Sequence, residues 1–344
     1  MTGFPPAQRA SGCLFGLAFG DALGADTEFL SVSEILRSFP PAGPTHIAGN
    51  PARVTDDTQM TLAFGKALLE ADRPYTAARL EEPLTRAFVE WSVSSENNRA
   101  PGLTCMRACE GLGRGQSWLQ STVIGSKGCG ANMRVAPAGL LPSGKDGVTE
   151  EVRAALAQFQ AAITHGHPTA LTSADLTARA IADLSSRGDS AGLLHRLRDY
   201  VFSQRTIYHV QWLGSLWQQA TIYATAEEYI ARGWDEVLHM LDRLETALRL
   251  EDRNSDPCLQ TGEGWTADEA LATGLLCFLL YPDDPVAAIR RAVVSSGDSD
   301  SIACLTGAFA GVYHGLAAWP AEWITIIEYR DLLSQLGNTW DKTF

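Results

Sequence analysis

Two short acidic runs carry the most chemistry per residue in this chain. The first is Val54-Thr55-Asp56-Asp57-Thr58-Gln59-Met60, and the second is Ser295-Ser296-Gly297-Asp298-Ser299-Asp300-Ser301. Each sets two carboxylates beside hydroxyl side chains at the point where an apolar helical pattern begins. Taken singly, each run reads as a helix start, because an acid in a first turn is favoured by the helix dipole by about 0.3–1 kcal/mol. Taken together they say more. If both ends met inside the fold, their four carboxylates would repel, and oxygen-rich clusters of that kind persist when Mg²⁺, Mn²⁺ or Ca²⁺ neutralises them. Zinc is disfavoured: no CxxC pair appears, and Cys105 and Cys109, one helical turn apart, lack a second ligand pair.

The elements that must position these runs are helical. Residues 9–25 read as a small-residue helix, with Gly16, Gly20 and Gly24 among its alanines. Each glycine weakens a helix by about 1 kcal/mol relative to alanine, which is tolerable where a second backbone packs very close. Glu28 follows that helix directly and is either a solvated loop acid or a carboxylate delivered by the helix end. Thr55 predicts an N-cap with Asp56 and Asp57 in the first turn. Further helices are expected over 76–92, 103–113, 149–165, 169–186, 266–281, 284–295, from Asp298 to Tyr313, and over 321–336. Residues 38–53 read as a Pro/Gly loop. Residues 190–260 are helical in composition without a readable motif. Alternating strand patterns are almost absent, so the expectation is an all-α fold of roughly a dozen helices in one domain, 1–344.

Between these helices lies the glycine-rich stretch Gly125-Ser126-Lys127-Gly128-Cys129-Gly130-Ala131-Asn132-Met133. Its glycines would let backbone N–H groups approach a ligand. It is neither a dinucleotide fingerprint nor a phosphate-binding P-loop, since it follows no strand and lacks the spacing. Lys127 and Arg134 beside it read as solvated or structural, and Trp91 and Trp265 as core.

The 344 residues carry a net charge of -13, with 45% hydrophobic and 19% charged side chains. That is a globular balance whose sign argues against direct nucleic-acid binding. Seven cysteines, an odd number, sit in apolar stretches and read as reduced thiols of a cytoplasmic protein. No run approaches the ~20 apolar residues of a membrane span. A signal peptide is not expected, because Asp21 interrupts the first apolar stretch.

The ordered set of motifs resembles the ADP-ribosylglycohydrolases, the family of the dinitrogenase reductase-activating glycohydrolase and the ADP-ribosylarginine hydrolases. The matching stretches are Gly16-x-x-x-Gly20-Asp21-Ala22-Leu23-Gly24 with Glu28, Thr55-Asp56-Asp57-Thr58, and Arg99-Ala100-Pro101-Gly102 with Thr104. Gly130 to Pro137, Thr164-His165 with Pro168, and Gly297-Asp298-Ser299-Asp300-Ser301 complete the set. The resemblance implies an all-α fold with two Mg²⁺ ions, Mn²⁺ being an alternative. It implies Thr55, Asp56, Asp57, Asp298, Asp300 and Ser301 as metal ligands, and a carboxylate at Glu28 that helps catalysis. It further implies that Gly128, Cys129, Gly130, Ala131, Asn132 and Met133 wrap a diphosphate and ribose. His165 would sit near the substrate, and Gly262-Glu263-Gly264-Trp265 would border the adenosine end.

The implied reaction is hydrolysis of a glycoside at the anomeric carbon of ADP-ribose. It develops oxocarbenium character and needs a water nucleophile and a protonated leaving group. Glu28, Asp56 and Asp300 are the candidate acids and bases, and the residues alone do not separate the two roles. The expected partner is an ADP-ribosylated protein or an ADP-ribose-containing small molecule. Arginine is the first carrier, on the grounds that the acidic loop around Glu96 would welcome a guanidinium. Serine-linked, nucleobase-linked or free derivatives are the enzymatic alternatives. A non-catalytic protein that binds an ADP-ribosyltransferase is the alternative of another class.

Overall fold

In the computed structural model, residues 8–144, 147–187 and 189–342 are described, without the side chain of Arg187. Among them every regular element is helical, and the only strand-like pairings are isolated bridges. The all-α expectation holds.

Two apolar helices form the axis. Arg9–Gly24 is buried on every side from Ala10 to Gly24, and Ser299–His314 is buried from Ser299 to Val312. They run antiparallel with almost no side chain between them. Gly12 faces Gly311, Gly16 faces Gly307, Gly20 faces Ala303, and Gly24 faces Asp300. A Cβ on any of these four N-terminal glycines would come closer to the opposing backbone than the 3.0 Å that real Cβ atoms respect. This is the second backbone that the glycine spacing calls for. Direct backbone contact offsets the glycines' weak helix propensity through dispersion that bulkier residues would forbid.

Other helices wrap this pair. Ala267–Leu280 and Pro285–Val293 cover Ser299–His314, and Arg330–Asp341 covers the N-terminal helix. There Gly337 seats on Ser11, and Asp341 accepts the Ala10 and Ser11 N–H groups at 2.8 and 3.3 Å. Glu150–Ala162, Pro168–Arg187 and Ala226–Leu250 build a further layer. All seven cysteines are free and buried. No helix is long and apolar enough to cross a membrane among the described residues.

Several elements differ from the sequence reading, among them the short helices Trp118–Ser121 and Ala136–Leu140, which were not expected. The helix expected over 321–336 is broken into Ala321–Ile326 and Arg330–Asp341. The break is tertiary: Glu328 donates its N–H to the Ala52 carbonyl at 2.9 Å, its carboxylate grips Arg99, and Tyr329 takes φ 54. The helix Val32–Ser38 was not expected, although Ser31 and Glu34 form a capping box visible in the sequence.

Gly307→Ala should therefore lower stability by about 2 kcal/mol or more, because its methyl meets the Gly16 carbonyl. Gly113→Ala, at a helix end where the new Cβ meets only Val89 at 3.6 Å, serves as the control and should be neutral or slightly stabilising. Thermal unfolding of both variants checks the difference; equal midpoints would contradict the packing described.

Candidate active site

The axial pair ends where the acids are. Ser299–His314 begins next to the C-terminal end of Arg9–Gly24, so Asp298 and Asp300 emerge beside the turn that carries Glu28. Thr27 holds that turn: its hydroxyl bonds the Gly24 carbonyl at 2.9 Å and the Ser299 hydroxyl at 2.8 Å. One carboxylate oxygen from each of Glu28, Asp298 and Asp300 lies within 4.8 Å of the other two. Gly297 allows the approach, since its backbone presses on Glu263 and the Asp298 N–H reaches the Glu263 carbonyl at 2.8 Å.

The other acidic run is docked onto this place by Asp21. Its carboxylate accepts Thr55 N–H at 2.9 Å, Thr55 Oγ1 at 2.8 Å, Thr58 N–H at 3.1 Å and the Thr58 hydroxyl. It thus satisfies the N-terminus of Asp56–Glu70 from a neighbouring helix. Thr55 is the N-cap, as its type predicts, with its hydroxyl 3.4 Å from oxygens of both Asp57 and Asp300. Asp56 accepts the Gly102 N–H at 3.1 Å. Sequence reasoning missed the role of Asp21. The signal was available: a lone acid inside an otherwise apolar helix.

The two runs, more than two hundred residues apart, meet on the floor of a cavity of about 410 Å³. Glu28, Asp56, Asp57, Asp298, Asp300 and Ser301 line it. Its other walls include Gly128, Cys129, Gly130, Met133, His165 and Trp265, together with Phe29 and the Pro101–Thr104 segment. Thr55 reaches Asp57 and Asp300 from behind. Ala131 and Asn132 are buried outside the cavity, and Asn132 donates to the Ala267 carbonyl at 3.0 Å. Of Gly262-Glu263-Gly264-Trp265, only Trp265 borders the space. The other three form its support, with Gly262 and Gly264 at φ 97 and 83.

Several expected roles change on inspection. The N–H groups of Cys129, Asn132 and Met133 already bond carbonyls of the protein, so the glycine-rich stretch offers fewer free donors than its composition suggests. Gly130 instead permits close packing: a Cβ there would lie 2.8 Å from Cys105 Sγ and 3.2 Å from the His165 ring. Trp265 is not core; it is 39% exposed and stacks on Phe29 with centroids 5.4 Å apart. Arg134 is structural, buried over the Phe88 ring and bonded to Gln160 and Thr164. Lys127 pairs with Glu236 at 3.1 Å. Glu96 accepts the Tyr329 hydroxyl and faces a different cavity, so the acidic-loop argument for an arginine carrier does not hold as stated.

Burial and mutual repulsion govern the electrostatics. Burial, then the charge of Asp300, pushes the Asp21 carboxyl up to about 7. Glu28 rises to about 9, from burial first and then from Asp300 and Asp56. Asp56 rises to about 7, mainly from burial, against the bond from Gly102. Asp57 and Asp298 lie well above the carboxylate range, with burial first and Asp300 next among the causes. No lysine or arginine lines the cavity among the described residues. Burial also holds His165 well below the usual imidazole range, hence neutral. Its Nδ1 is 2.8 Å from the Thr164 hydroxyl, whose oxygen accepts from Arg134 at 2.8 Å. The Thr164 hydroxyl also lies 3.5 Å from the Ala161 carbonyl, so its proton has two acceptors to choose from, and the Nε2 edge of the ring lies beside Gly128 and Gly130. His165 is thus a neutral imidazole at the cavity wall.

Comparison with known proteins accords with this geometry. The family model described as ADP-ribosylglycohydrolase matches residues 5–343. The chain belongs to the ADP-ribosylglycohydrolase family. It is 32% identical over 213 residues to the ADP-ribosyl-[dinitrogen reductase] glycohydrolase of Rhodospirillum rubrum, covering 59% of this chain and 69% of that one. It is 27% identical to the ADP-ribosylhydrolase ARH3 of Gallus gallus, over 97% of this chain and 93% of the relative. It is 26% identical to the ADP-ribosylarginine hydrolase Tri1 of Serratia proteamaculans, over 96% and 78%. A solved ADP-ribosylglycohydrolase-related protein complex shares the fold, with TM-score 0.67 and 22% identity over 99% of both chains.

The ADP-ribosylglycohydrolase cluster meets the chemical requirements of hard divalent cations. Its donors are all oxygen, no side-chain cation balances them, and Asp57 Oδ1 is buried without a hydrogen-bond partner. In EDTA-treated protein at neutral pH, Mg²⁺ should raise the unfolding midpoint by a few degrees, since saturation at about 100 Kd contributes about 2.7 kcal/mol. Asp57→Asn should stabilise the ion-free protein, by removing a buried carboxyl whose ionisation its surroundings oppose, and lose most of the Mg²⁺ shift. Differential scanning calorimetry checks both; an undiminished Mg²⁺ shift in the variant would contradict the assignment.

Proposed function

We propose that the chain, as one domain spanning residues 1–344, is a Mg²⁺-dependent hydrolase that removes ADP-ribose from a modified protein side chain, with arginine as the carrier. The observation that carries this reading is the convergence of Glu28, Asp56, Asp57, Asp298 and Asp300 in one cavity of a chain matched by the ADP-ribosylglycohydrolase family model. Thr55, Asp56, Asp57, Asp298, Asp300 and Ser301 would hold two ions, with Mn²⁺ able to replace Mg²⁺. When bound, the ions supply positive charge for the ribose hydroxyls and for an attacking water.

The remaining work falls to the chain's own groups. The His165 ring, with Gly128, Cys129, Gly130 and Met133 around it, lines the space that receives the ligand's polar oxygens, and Trp265 offers a flat apolar surface at the rim. Ala131, Asn132, Gly262, Glu263 and Gly264 hold these groups in place. Asp56 and Asp300 orient the reacting centre from below. Glu28 is the carboxyl that meets both the water and the leaving atom. Water's oxygen bonds to the anomeric carbon as the glycosidic C–N bond breaks. The proton that the water gives up and the proton that the leaving nitrogen takes balance, so one carboxyl placed between them serves both transfers. The burial that raises the Glu28 pKa favours such exchange near neutrality.

Arginine is supported by the Serratia relative's name and by the acidic face that Asp26 and Glu28 present beside the cavity. A second reading, hydrolysis of serine-linked, nucleobase-linked or other ADP-ribose derivatives, is supported by the long match to relatives named ADP-ribosylhydrolase ARH3. A panel of arginine-, serine- and nucleobase-linked ADP-ribose, incubated with Mg²⁺, separates the two. Free ADP-ribose is expected from the arginine substrate; release only from another linkage would select the second reading, and release from none would overturn both. On the preferred substrate, Glu28→Gln should lower kcat by roughly 10²–10⁴-fold with KM little changed. A change confined to KM would remove Glu28 from the proton transfers.

A further inference from the structure

A second cleft, of about 580 Å³, opens on the other side of the Glu28–Phe29 turn. It shares Glu28, Phe29 and Ala100 with the carboxylate cavity, so these three residues form a partition between the two spaces. Phe29 and Ala100 both hold positive φ, 65 and 51. That is an uncommon state for non-glycine residues, and two occurrences facing the same two cavities mark a shaped boundary. The walls of the cleft differ in charge. Asp26 and Glu28 come from the turn after the N-terminal helix, while Arg53 and Arg99 come from the opposite loops. Arg99 is already neutralised by Glu328, with both side chains mostly buried. Arg53 is exposed, hydrogen-bonds the neutral amide oxygen of Asn98 at 3.3 Å, and makes no ion pair within contact distance among the described residues, its charge reaching Glu328 through space. In a chain of net charge -13, an exposed guanidinium lining the same cleft as Glu28 runs against the overall field.

We propose that this cleft receives the protein that carries the modification, and that Arg53 selects carriers with an acidic residue next to the modified arginine. The inference rests on the hydrolase reading above. If ADP-ribose fills the carboxylate cavity with its anomeric carbon at Glu28, the carrier must leave on the far side of Glu28. This cleft is the space contiguous with Glu28 on that side. The modified guanidinium passes the Asp26–Glu28 wall, and the flanking carboxylate meets the fork of Arg53.

Two peptides with one ADP-ribosylarginine each, flanked by glutamates in one and by lysines in the other, provide the test. It is run in about 0.1 M salt, where the Debye length of about 10 Å screens the distant charges of the chain. The readout is the ratio of kcat/KM values, acidic-flanked over basic-flanked. Arg53→Glu should lower this ratio by about tenfold, Arg53→Ala by about threefold, and Arg53→Lys should preserve it. A loss of turnover that is equal for both peptides, leaving the ratio unchanged in Arg53→Glu and Arg53→Ala, would overturn the assignment while leaving the hydrolase reading intact. Release of ADP-ribose from neither peptide by the wild-type protein would overturn the arginine reading and this assignment with it.

Discussion

Buried negative charge without a positive side chain to answer it is the constraint around which this structure is arranged. Asp21, Asp56, Asp57, Asp298 and Asp300 are buried, and Glu28 joins them from the cavity rim. Burial of one unpaired carboxylate is strongly unfavourable, and neighbours of the same sign raise the penalty. Proteins usually answer with arginine or lysine. Here the nearby guanidiniums are engaged elsewhere, Arg99 with Glu328 and Arg134 with Gln160 and Thr164. Asp21 is the most fully provided for among the described residues, by the N–H groups and hydroxyls of Thr55 and Thr58. The others keep oxygen atoms turned toward one small volume, and that makes the site chemically specific.

The axial glycine seam is what makes such an arrangement affordable to build. With backbone against backbone at Gly12, Gly16, Gly20 and Gly24, the two helices sit close enough for the Asp298–Asp300 run to begin beside the Glu28 turn. Asp21, on the same helix as the seam glycines, then fixes the start of Asp56–Glu70 at that same end. Three chain segments far apart in sequence are thus referenced to one helix. Packing determines the geometry, and the geometry determines which oxygens can share a cation.

Much of this was legible in the residues. The four-residue glycine spacing demanded a close backbone, and the Thr-Asp-Asp and Asp-x-Asp-Ser runs marked two helix starts rich in oxygen donors. What stayed hidden was tertiary. Asp21 looked like an interruption because its partners, Thr55 and Thr58, are distant in sequence. Trp265 looked like core because nothing local shows that its loop lies at a cavity mouth against Phe29. The composition of Gly128–Met133 promised a cradle of N–H groups, yet several of those groups are consumed by carbonyls, one of them from Trp265 itself. The break before Arg330 has no proline or glycine to announce it, since it follows from the grip of Glu328 on Arg99.

The central claim is that these oxygens form a site for divalent ions, and counting the ions tests it most directly. Equilibrium dialysis of the wild-type protein against Mn²⁺, with the bound metal measured by atomic emission, should approach two ions per chain at saturation. Mg²⁺ should compete for the same places. A chain that binds no Mn²⁺ at millimolar concentration, while remaining folded, would contradict the account.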